Sequence, residues 1–216
     1  MNIGIFGGTF DPIHYGHLRA AEEITQNFLE KVIFVPTNIT SNKEKVPSSS
    51  QERLEMIKIA INDHKKFTVS DIEIKRGGIS YSYDTVIQFK KLYPDDDLYF
   101  IIGMDAYFDL KNWKNGELLF GMINFIVINR NNIRFNPKDL IKLTSFLPDG
   151  IKGQIDIDHK NKRFVTSKNR YINFLKITRM DISSTIIRNN FKKNISNLYL
   201  LPKDVINYII NKKMYI

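Results

Sequence analysis

The 216-residue chain contains no cysteine. Structural disulfides, thiolate metal sites and cysteine-based catalysis are therefore excluded. No apolar run approaches the ~18 residues that a membrane-spanning helix needs. The opening Met1-Asn2-Ile3-Gly4-Ile5-Phe6 lacks a basic n-region and quickly turns Gly-rich, so no secretory signal is read there. The expected location is the cytoplasm, with no membrane partner. Acidic residues are in the minority, 23 against 32 Lys and Arg, which leaves a net charge of +9. Runs of basic residues are also lacking. The longest Lys runs are pairs, such as Lys65-Lys66 and Lys192-Lys193, whereas a polybasic arm runs for about five or more. Ile, Lys and Asn together make up 77 of the residues, as expected of an A+T-rich coding sequence. The excess charge is read as codon bias on solvated faces, and a basic nucleic-acid-binding module is the disfavoured alternative. No helix-turn-helix spacing, aromatic stripe or zinc finger supports it. Dispersed positive charge still attracts anionic small molecules, phosphates included.

What is present reads as a soluble globular protein, with 43% hydrophobic and 25% charged residues. At roughly 150 residues per domain, one domain over residues 1–216 is expected, with a C-terminal helical portion from about 183. Short apolar runs recur at Ile3–Phe6, Val32–Val35, Phe67–Val69, Leu98–Ile102, Ile123–Ile128 and Asn173–Ile177. Between them lie helical repeats: Leu18, Ala21, Ile24 and Phe28, then Leu54, Ile57 and Ile61 behind a Ser49/Glu52 capping box. Another helix opens around Ser82, Asp84 and Thr85. Two more start near Ser183 and Pro202, the latter with proline in its first turn. Residues 131–170 read as irregular apart from a helix at 137–145. Near-continuous apolar strands alternating with helices imply an α/β fold, with a doubly wound, mostly parallel sheet covered by helices on both faces. Ligands of such sheets sit outside the C-terminal strand ends. Gly7-Gly8-Thr9, Pro36 and Gly103-Met104-Asp105 fall at such ends.

The segment with most chemistry is Gly7-Gly8-Thr9-Phe10-Asp11-Pro12-Ile13-His14-Tyr15-Gly16-His17. Two glycines after a strand let the backbone approach a ligand, and their N–H groups can cradle phosphate oxygens. His14 and His17 are three residues apart at a helix start, where two imidazoles suit a polyphosphate. The string is neither a Walker A loop nor the Gly-x-Gly-x-x-Gly fingerprint. The other histidines, His64 and His159, form no zinc-like cluster with them, so no metal ligands are assigned. Far downstream, Ser183 is a good N-cap, and Arg188 lies one turn beyond Ser184 and Thr185 on their face, where it can fork onto a phosphate. Asp95-Asp96-Asp97 precedes a strand and is read as a solvated turn.

The first string resembles the nucleotidylyltransferase superfamily signature, and Ile182-Ser183-Ser184-Thr185-Ile186-Ile187-Arg188 is similar to the superfamily's Ile-Ser-Ser-Thr-x-Ile-Arg motif. Gly78–Thr85, Ile102-Gly103-Met104-Asp105 with Trp113 downstream, and Leu201-Pro202 with Val205, Tyr208 and Ile209 look like the bacterial nicotinate-nucleotide adenylyltransferase family. The resemblance spans nearly the whole chain and is weakest over 131–172. It departs where that family has Pro-Pro-His-Lys, here Pro36-Thr37-Asn38 with only Lys43 as a basic stand-in, and where its Arg-Pro-Gly is Arg130-Asn131-Asn132. The resemblance implies adenylyl transfer from ATP to nicotinate mononucleotide in NAD biosynthesis. His17 and His14 would be catalytic. ATP would be held by Gly7, Gly8, Thr9, Phe10, His14, His17, Gly103, Asp105, Ile182, Ser183, Ser184, Thr185 and Arg188. Nicotinate mononucleotide would meet Thr9, Lys43, Thr85, Trp113 and Lys114. Mg²⁺ would be carried with ATP. Pantetheine-phosphate and nicotinamide-mononucleotide adenylyltransferases are the enzyme alternatives, and homo-oligomerisation is left open. With Asp84 as N-cap, Thr85 would be the first helical residue and offer a free N–H to a ring carboxylate.

Overall fold

The computed structural model describes residues 1–40, 47–129 and 137–215. Lys43 and the Arg130-Asn131-Asn132 departure lie outside them. The chain opens with β1 (Asn2–Gly8), α1 (Tyr15–Asn27), β2 (Lys31–Pro36), α2 (Ser50–Ile61) and β3 (Phe67–Val69). A short α3 (Ile72–Arg76) and α4 (Ser82–Leu92) lead to β4 (Asp97–Gly103). Then come α5 (Met104–Phe108), α6 (Gly116–Met122) and β5 (Asn124–Asn129). After α7 (Pro137–Leu143) and α8 (Asp149–Lys152), strands β6 (Ile155–Asp158), β7 (Arg163–Thr166) and β8 (Tyr171–Lys176) follow. The last elements are α9 (Ser184–Lys192) and α10 (Lys203–Asn211). Among the described residues, no helix is long and apolar enough to cross a membrane.

Two compact units form. One comprises Met1–Ile5 and Tyr81–Ile177, the other Phe6–Ser80 and Thr178–Ile216, and β1 passes from the first to the second. In the first unit the strand order is β1-β4-β5-β8-β7-β6. β4 and β5 pair parallel with Ile101 opposite Ile126, and β5 and β8 pair parallel with Val127 opposite Phe174. β8 is last in sequence but has neighbours on both sides, which suits its buried Ile172-Asn173-Phe174. β7 pairs antiparallel with β8 and with β6. This hairpin corrects the expectation that 131–170 is irregular outside one helix. Its strands are only four residues long, and β6 reads Ile-Asp-Ile-Asp with no residue fully buried, so no apolar run announces it.

In the second unit the order is β3-β2-β1, with Val32 opposite Phe67 in a parallel pair. A ring cluster fills the space beneath: Phe34 lies 5.5 Å from Phe6, 5.7 Å from Phe10 and 5.5 Å from Phe67, centroid to centroid. The expected capping box starts α2, since Ser49 Oγ accepts the Glu52 N–H at 3.2 Å and Glu52 Oε2 accepts the Ser49 N–H at 2.8 Å. Ser183 caps α9 as expected, accepting the Ile186 N–H at 3.2 Å. Pro202 is the N-cap of α10, one position before the first helical turn assigned to it from sequence.

Candidate active site

The second unit brings the Gly-rich string and the downstream motif together. β1 ends at Gly8, where a Cβ would come within 2.9 Å of the Phe10 ring. The missing side chain lets that ring fold back over the strand end, with Phe10 itself in the left-handed region at φ 52°. Phe10 is therefore a core residue, 2% exposed, and only its backbone faces the loop. His14 is the N-cap of α1, and its ring stacks on that of His17 with centroids 3.8 Å apart. Gly16 makes that stack fit, because a Cβ there would stand 3.0 Å from Nδ1 and Cε1 of His14. The spacing His-x-Gly-His thus has a steric cause. The His14 N–H donates to Nδ1 of His17 at 3.3 Å, which assigns the proton of the neutral His17 ring to Nε2, a donor suited to a phosphate oxygen. His14 is buried at 2% exposure, whereas His17 is half-buried.

α9 is tied to the same loop. Ser184 Oγ donates to the Pro12 carbonyl at 2.8 Å, and Arg188 donates to the Asp11 carbonyl at 2.6 Å and to Thr185 Oγ1 at 3.4 Å. The Ile182 carbonyl lies 3.7 Å from where a Gly16 Cβ would be. Beneath the loop sits Arg53, which the sequence reading missed. It is 1% exposed and donates to the carbonyls of Thr9 at 2.8 Å, Thr37 at 2.6 Å and Asn38 at 3.0 Å. The exits of β1 and β2 are joined directly as well, by the Thr37 N–H on the Gly8 carbonyl at 3.0 Å. Burial pulls the Arg53 guanidinium below its usual range, and nearby Asp11, Tyr215 and Glu73 oppose that shift. Buried among the apolar positions of α2, it had a signal only in its place beside Leu54, Met56 and Ile57.

The first unit holds a second set. Gly103 ends β4 and caps α5, and a Cβ on it would collide with Oδ1 of Asp105. Glycine is what lets that carboxylate lie back over the strand end. Trp113 is half-buried, edge-on to Phe100 with centroids 6.2 Å apart. Lys114 lies over the Tyr81 ring at 4.3 Å and 3.9 Å from Oδ2 of Asp84. The expected free N–H of Thr85 is corrected. The N-cap of α4 is Tyr81, not Asp84, so Thr85 lies inside the helix. It is fully buried, and its N–H and Oγ1 both donate to the Tyr81 carbonyl, at 3.2 and 3.3 Å. The N–H groups without an intrahelical acceptor are those of Ser82, Tyr83 and Asp84.

Residues 5–190 match the family model described as cytidylyltransferase-like. The chain is 38% identical to a nicotinate-nucleotide adenylyltransferase of Citrifermentans bemidjiense, over all of this chain and 99% of that one. It is 39% identical to a protein of the same name from Geotalea daltonii, over all of this chain and 98% of the other. This chain belongs to the nicotinate-nucleotide adenylyltransferase family. Its fold is shared with the nicotinic acid mononucleotide adenylyltransferase of Plasmodium falciparum, solved in complex with NaAD. That match has a TM-score of 0.74 at 24% identity over 99% of this chain and 97% of that one. The doubly wound, mostly parallel α/β architecture expected from sequence is therefore present. For a nicotinate-nucleotide adenylyltransferase, the donor set around His14, His17 and Arg188 has the right character: imidazole, guanidinium and helix N–H groups all favour phosphate oxygens.

Proposed function

We propose that this protein transfers the adenylyl group of ATP to nicotinate mononucleotide, giving nicotinate adenine dinucleotide (deamido-NAD) and pyrophosphate in NAD biosynthesis. The observation that carries the reading is the stacked His14–His17 pair at the start of α1, with Arg188 of α9 hydrogen-bonded to the same loop. A phosphate oxygen of nicotinate mononucleotide attacks the α-phosphorus of ATP in line. A new P–O bond forms as the bond to the pyrophosphate oxygen breaks, and pyrophosphate leaves with the electron pair. Such a transfer needs positioning and charge stabilisation more than a protein nucleophile. Nε2–H of His17 donates to the α-phosphate, where negative charge develops, and His14 serves the neighbouring phosphates. The backbone of Gly7, Gly8, Thr9 and Phe10 lines the reacting end. Ile182, Ser183, Ser184, Thr185 and Arg188 hold the β- and γ-phosphates. Gly103 and Asp105 take the adenosine ribose, the carboxylate accepting from its hydroxyls. Thr9, Lys43, Trp113 and Lys114 serve nicotinate mononucleotide, and the N–H groups of Ser82, Tyr83 and Asp84 take the part expected of Thr85, which is buried.

Mg²⁺ enters as part of the substrate, bound to ATP. His14, His17 and Arg188 are hydrogen-bond donors rather than the oxygen ligands magnesium prefers, and the Asp11 carboxylate is buried against Tyr215, so phosphates and water supply its coordination. The enzyme acts in the cytoplasm on small molecules, without nucleic acid. Preference for the acid over the amide follows from positive character around the ring site. The open N–H groups at the start of α4 and the Lys114 ammonium favour a carboxylate, although Asp84, 3.9 Å from Lys114, takes part of that charge. Hydrogen bonds to a charged group are worth roughly 1.5–3 kcal/mol, so a preference of about tenfold to a hundredfold is expected, toward the lower end. The test is pyrophosphate release with ATP and three acceptors: nicotinate mononucleotide, nicotinamide mononucleotide and phosphopantetheine. A kcat/KM highest for nicotinate mononucleotide supports the assignment. Equal values for acid and amide refute the ring-site roles, and preference for phosphopantetheine refutes the substrate.

A further inference from the structure

We infer that Tyr215 is a positioning residue for ATP, acting through Asp11 on Arg188. The inference rests on the reading that Arg188 holds the ATP phosphates. Beyond α10 the backbone turns sharply, with Lys213 at φ 52° and Tyr215 at φ 63°. The left-handed region is unusual for an aromatic residue and marks a conformation imposed by its surroundings. Here the turn drives the Tyr215 ring inward, to 9% exposure, where it packs against Phe191 at 6.1 Å between centroids. Its hydroxyl makes a short hydrogen bond to Oδ1 of Asp11, and Ser48 Oγ donates to the same hydroxyl at 2.8 Å.

Asp11 is the pivot. It lies in the middle of the Gly-rich string and is 2% exposed. Its Oδ2 is buried without a hydrogen-bond partner, so the phenol is the hydrogen bond that holds this carboxylate in place among the described residues. The main-chain carbonyl of the same residue receives the Arg188 guanidinium at 2.6 Å. A rotation of the Asp11 peptide therefore re-aims Arg188. Burial, and the Asp11 carboxylate facing it, push the Tyr215 hydroxyl well above its usual range, which keeps it a donor through the whole working pH range. Tyr215 sits 204 residues from Asp11, and it follows the last helix, where a side chain serving the phosphate loop would not be sought.

Tyr215→Phe keeps the ring and removes the hydroxyl. With the carboxylate no longer held, the KM for ATP should rise about three- to tenfold, as residues of one network couple by factors of this order. The KM for nicotinate mononucleotide should stay within about twofold of wild type. A merely structural role would lower the melting temperature and leave the KM of the folded enzyme unchanged. The deciding comparison is the double variant. If Tyr215 works through Arg188, Tyr215→Phe adds nothing to the ATP KM of Arg188→Ala. A folded Tyr215→Phe enzyme with wild-type ATP KM overturns the inference, as do effects that multiply in the double variant. An Arg188→Ala enzyme with unchanged ATP KM instead removes the phosphate role of Arg188, and the inference falls with it. Should Tyr215→Phe not fold, Asp11→Ala and Asp11→Asn decide. Asparagine still accepts the phenol hydrogen, so its ATP KM should lie clearly below that of the alanine variant, and equal values overturn the proposal.

Discussion

His14 and His17 share one stack but stand in different places. His14 is buried as the N-cap of α1, and its loss would damage the helix start as well as the site. His17 is half-buried, and its ring meets Phe10 edge-on at 5.0 Å, so its removal leaves the core largely intact. His17→Ala should therefore lower kcat by about 10²–10³, the usual effect of losing a donor aimed at developing negative charge. Its melting temperature should stay within a few degrees of wild type. A folded variant turning over within a few-fold of wild type would remove His17 from the chemistry. Gly16→Ala separates stability from positioning even more sharply. Alanine favours a helix over glycine by up to about 1 kcal/mol, yet its Cβ would press on the His14 ring from 3.0 Å. The expected variant melts no lower than wild type but loses about tenfold or more in turnover, because small misplacements of catalytic groups are amplified in rate. Unchanged turnover would show that the His14 ring yields without consequence. At this scale the two motifs that meet at one loop were readable from sequence, because the His14/His17 string and the Ser183–Arg188 segment each stand out there. Arg53, Asp11 and Tyr215 were not, since burial alone distinguishes a clamped guanidinium or phenol from the many basic and aromatic residues around it.

Among the elements, α1 carries the site at one end and its fastening further along. Glu23 accepts from Arg19 at 2.6 Å and from the Thr178 N–H through both carboxylate oxygens, at 3.2 and 3.0 Å, fixing the segment that follows β8 to the helix. Burial by itself would raise the Glu23 pKa, but the Thr178 and Arg19 hydrogen bonds outweigh it and hold the carboxyl below its usual range. Glu22 is lowered likewise, against burial, by His64 at 2.7 Å and by Gln26. A carboxyl depressed by folding contributes stability that is present above its unfolded value, near 4.5, and lost as pH falls through the folded value. The melting temperature should thus hold steady down to about pH 5 and decline below it. Glu23→Gln should lower the midpoint at pH 7 by about 2–4 °C, the shift expected of about 1 kcal/mol in a chain of this length, and make the acid decline shallower. A melting profile unchanged by that substitution would show that the Thr178 and Arg19 bonds contribute nothing net. The long apolar strands and the Ser49 capping box were readable because burial on both faces and reciprocal caps leave strong local patterns. The β6–β7 hairpin was not, because β6 at the end of the strand order alternates Ile with Asp and buries little. The start of α4 was misplaced because Asp84 is the better intrinsic cap. The structure starts the helix two residues before it, buries Thr85 completely and uses that residue's hydroxyl within the helix.

For the whole molecule, each compact unit holds part of the proposed binding residues. The Gly7–His17 loop and the Ser183–Arg188 turn belong to the unit formed by Phe6–Ser80 and Thr178–Ile216. Gly103, Asp105, Trp113, Lys114 and the start of α4 belong to the unit formed by Met1–Ile5 and Tyr81–Ile177. Chain order does not reveal this partition, since β1 and the stretch from β8 to α9 each pass from one unit to the other. The net charge of +9 does not replace it as a basis for recognition. Exposed charges more than about 10 Å apart are largely screened at 0.1 M salt, so dispersed lysines draw anions in without choosing among them. Choice therefore falls to the local sets, and each ligand should leave its own footprint. A ligand that binds only the folded state suppresses local opening, by about 2.7 kcal/mol at a hundredfold excess over its Kd. Amide hydrogen exchange followed by peptide mapping reads that suppression segment by segment. MgATP alone should slow exchange in the peptides covering 7–17, 103–105 and 183–188. Nicotinate mononucleotide alone should slow it at 81–85 and 113–114. Protection at 81–85 should be stronger for the acid than for nicotinamide mononucleotide at equal occupancy, because the carboxylate is the better acceptor for the open N–H groups of Ser82, Tyr83 and Asp84. If nicotinate mononucleotide slows exchange without touching either of those segments, the ring-binding roles of the α4 start, Trp113 and Lys114 are wrong, whatever the enzyme's turnover.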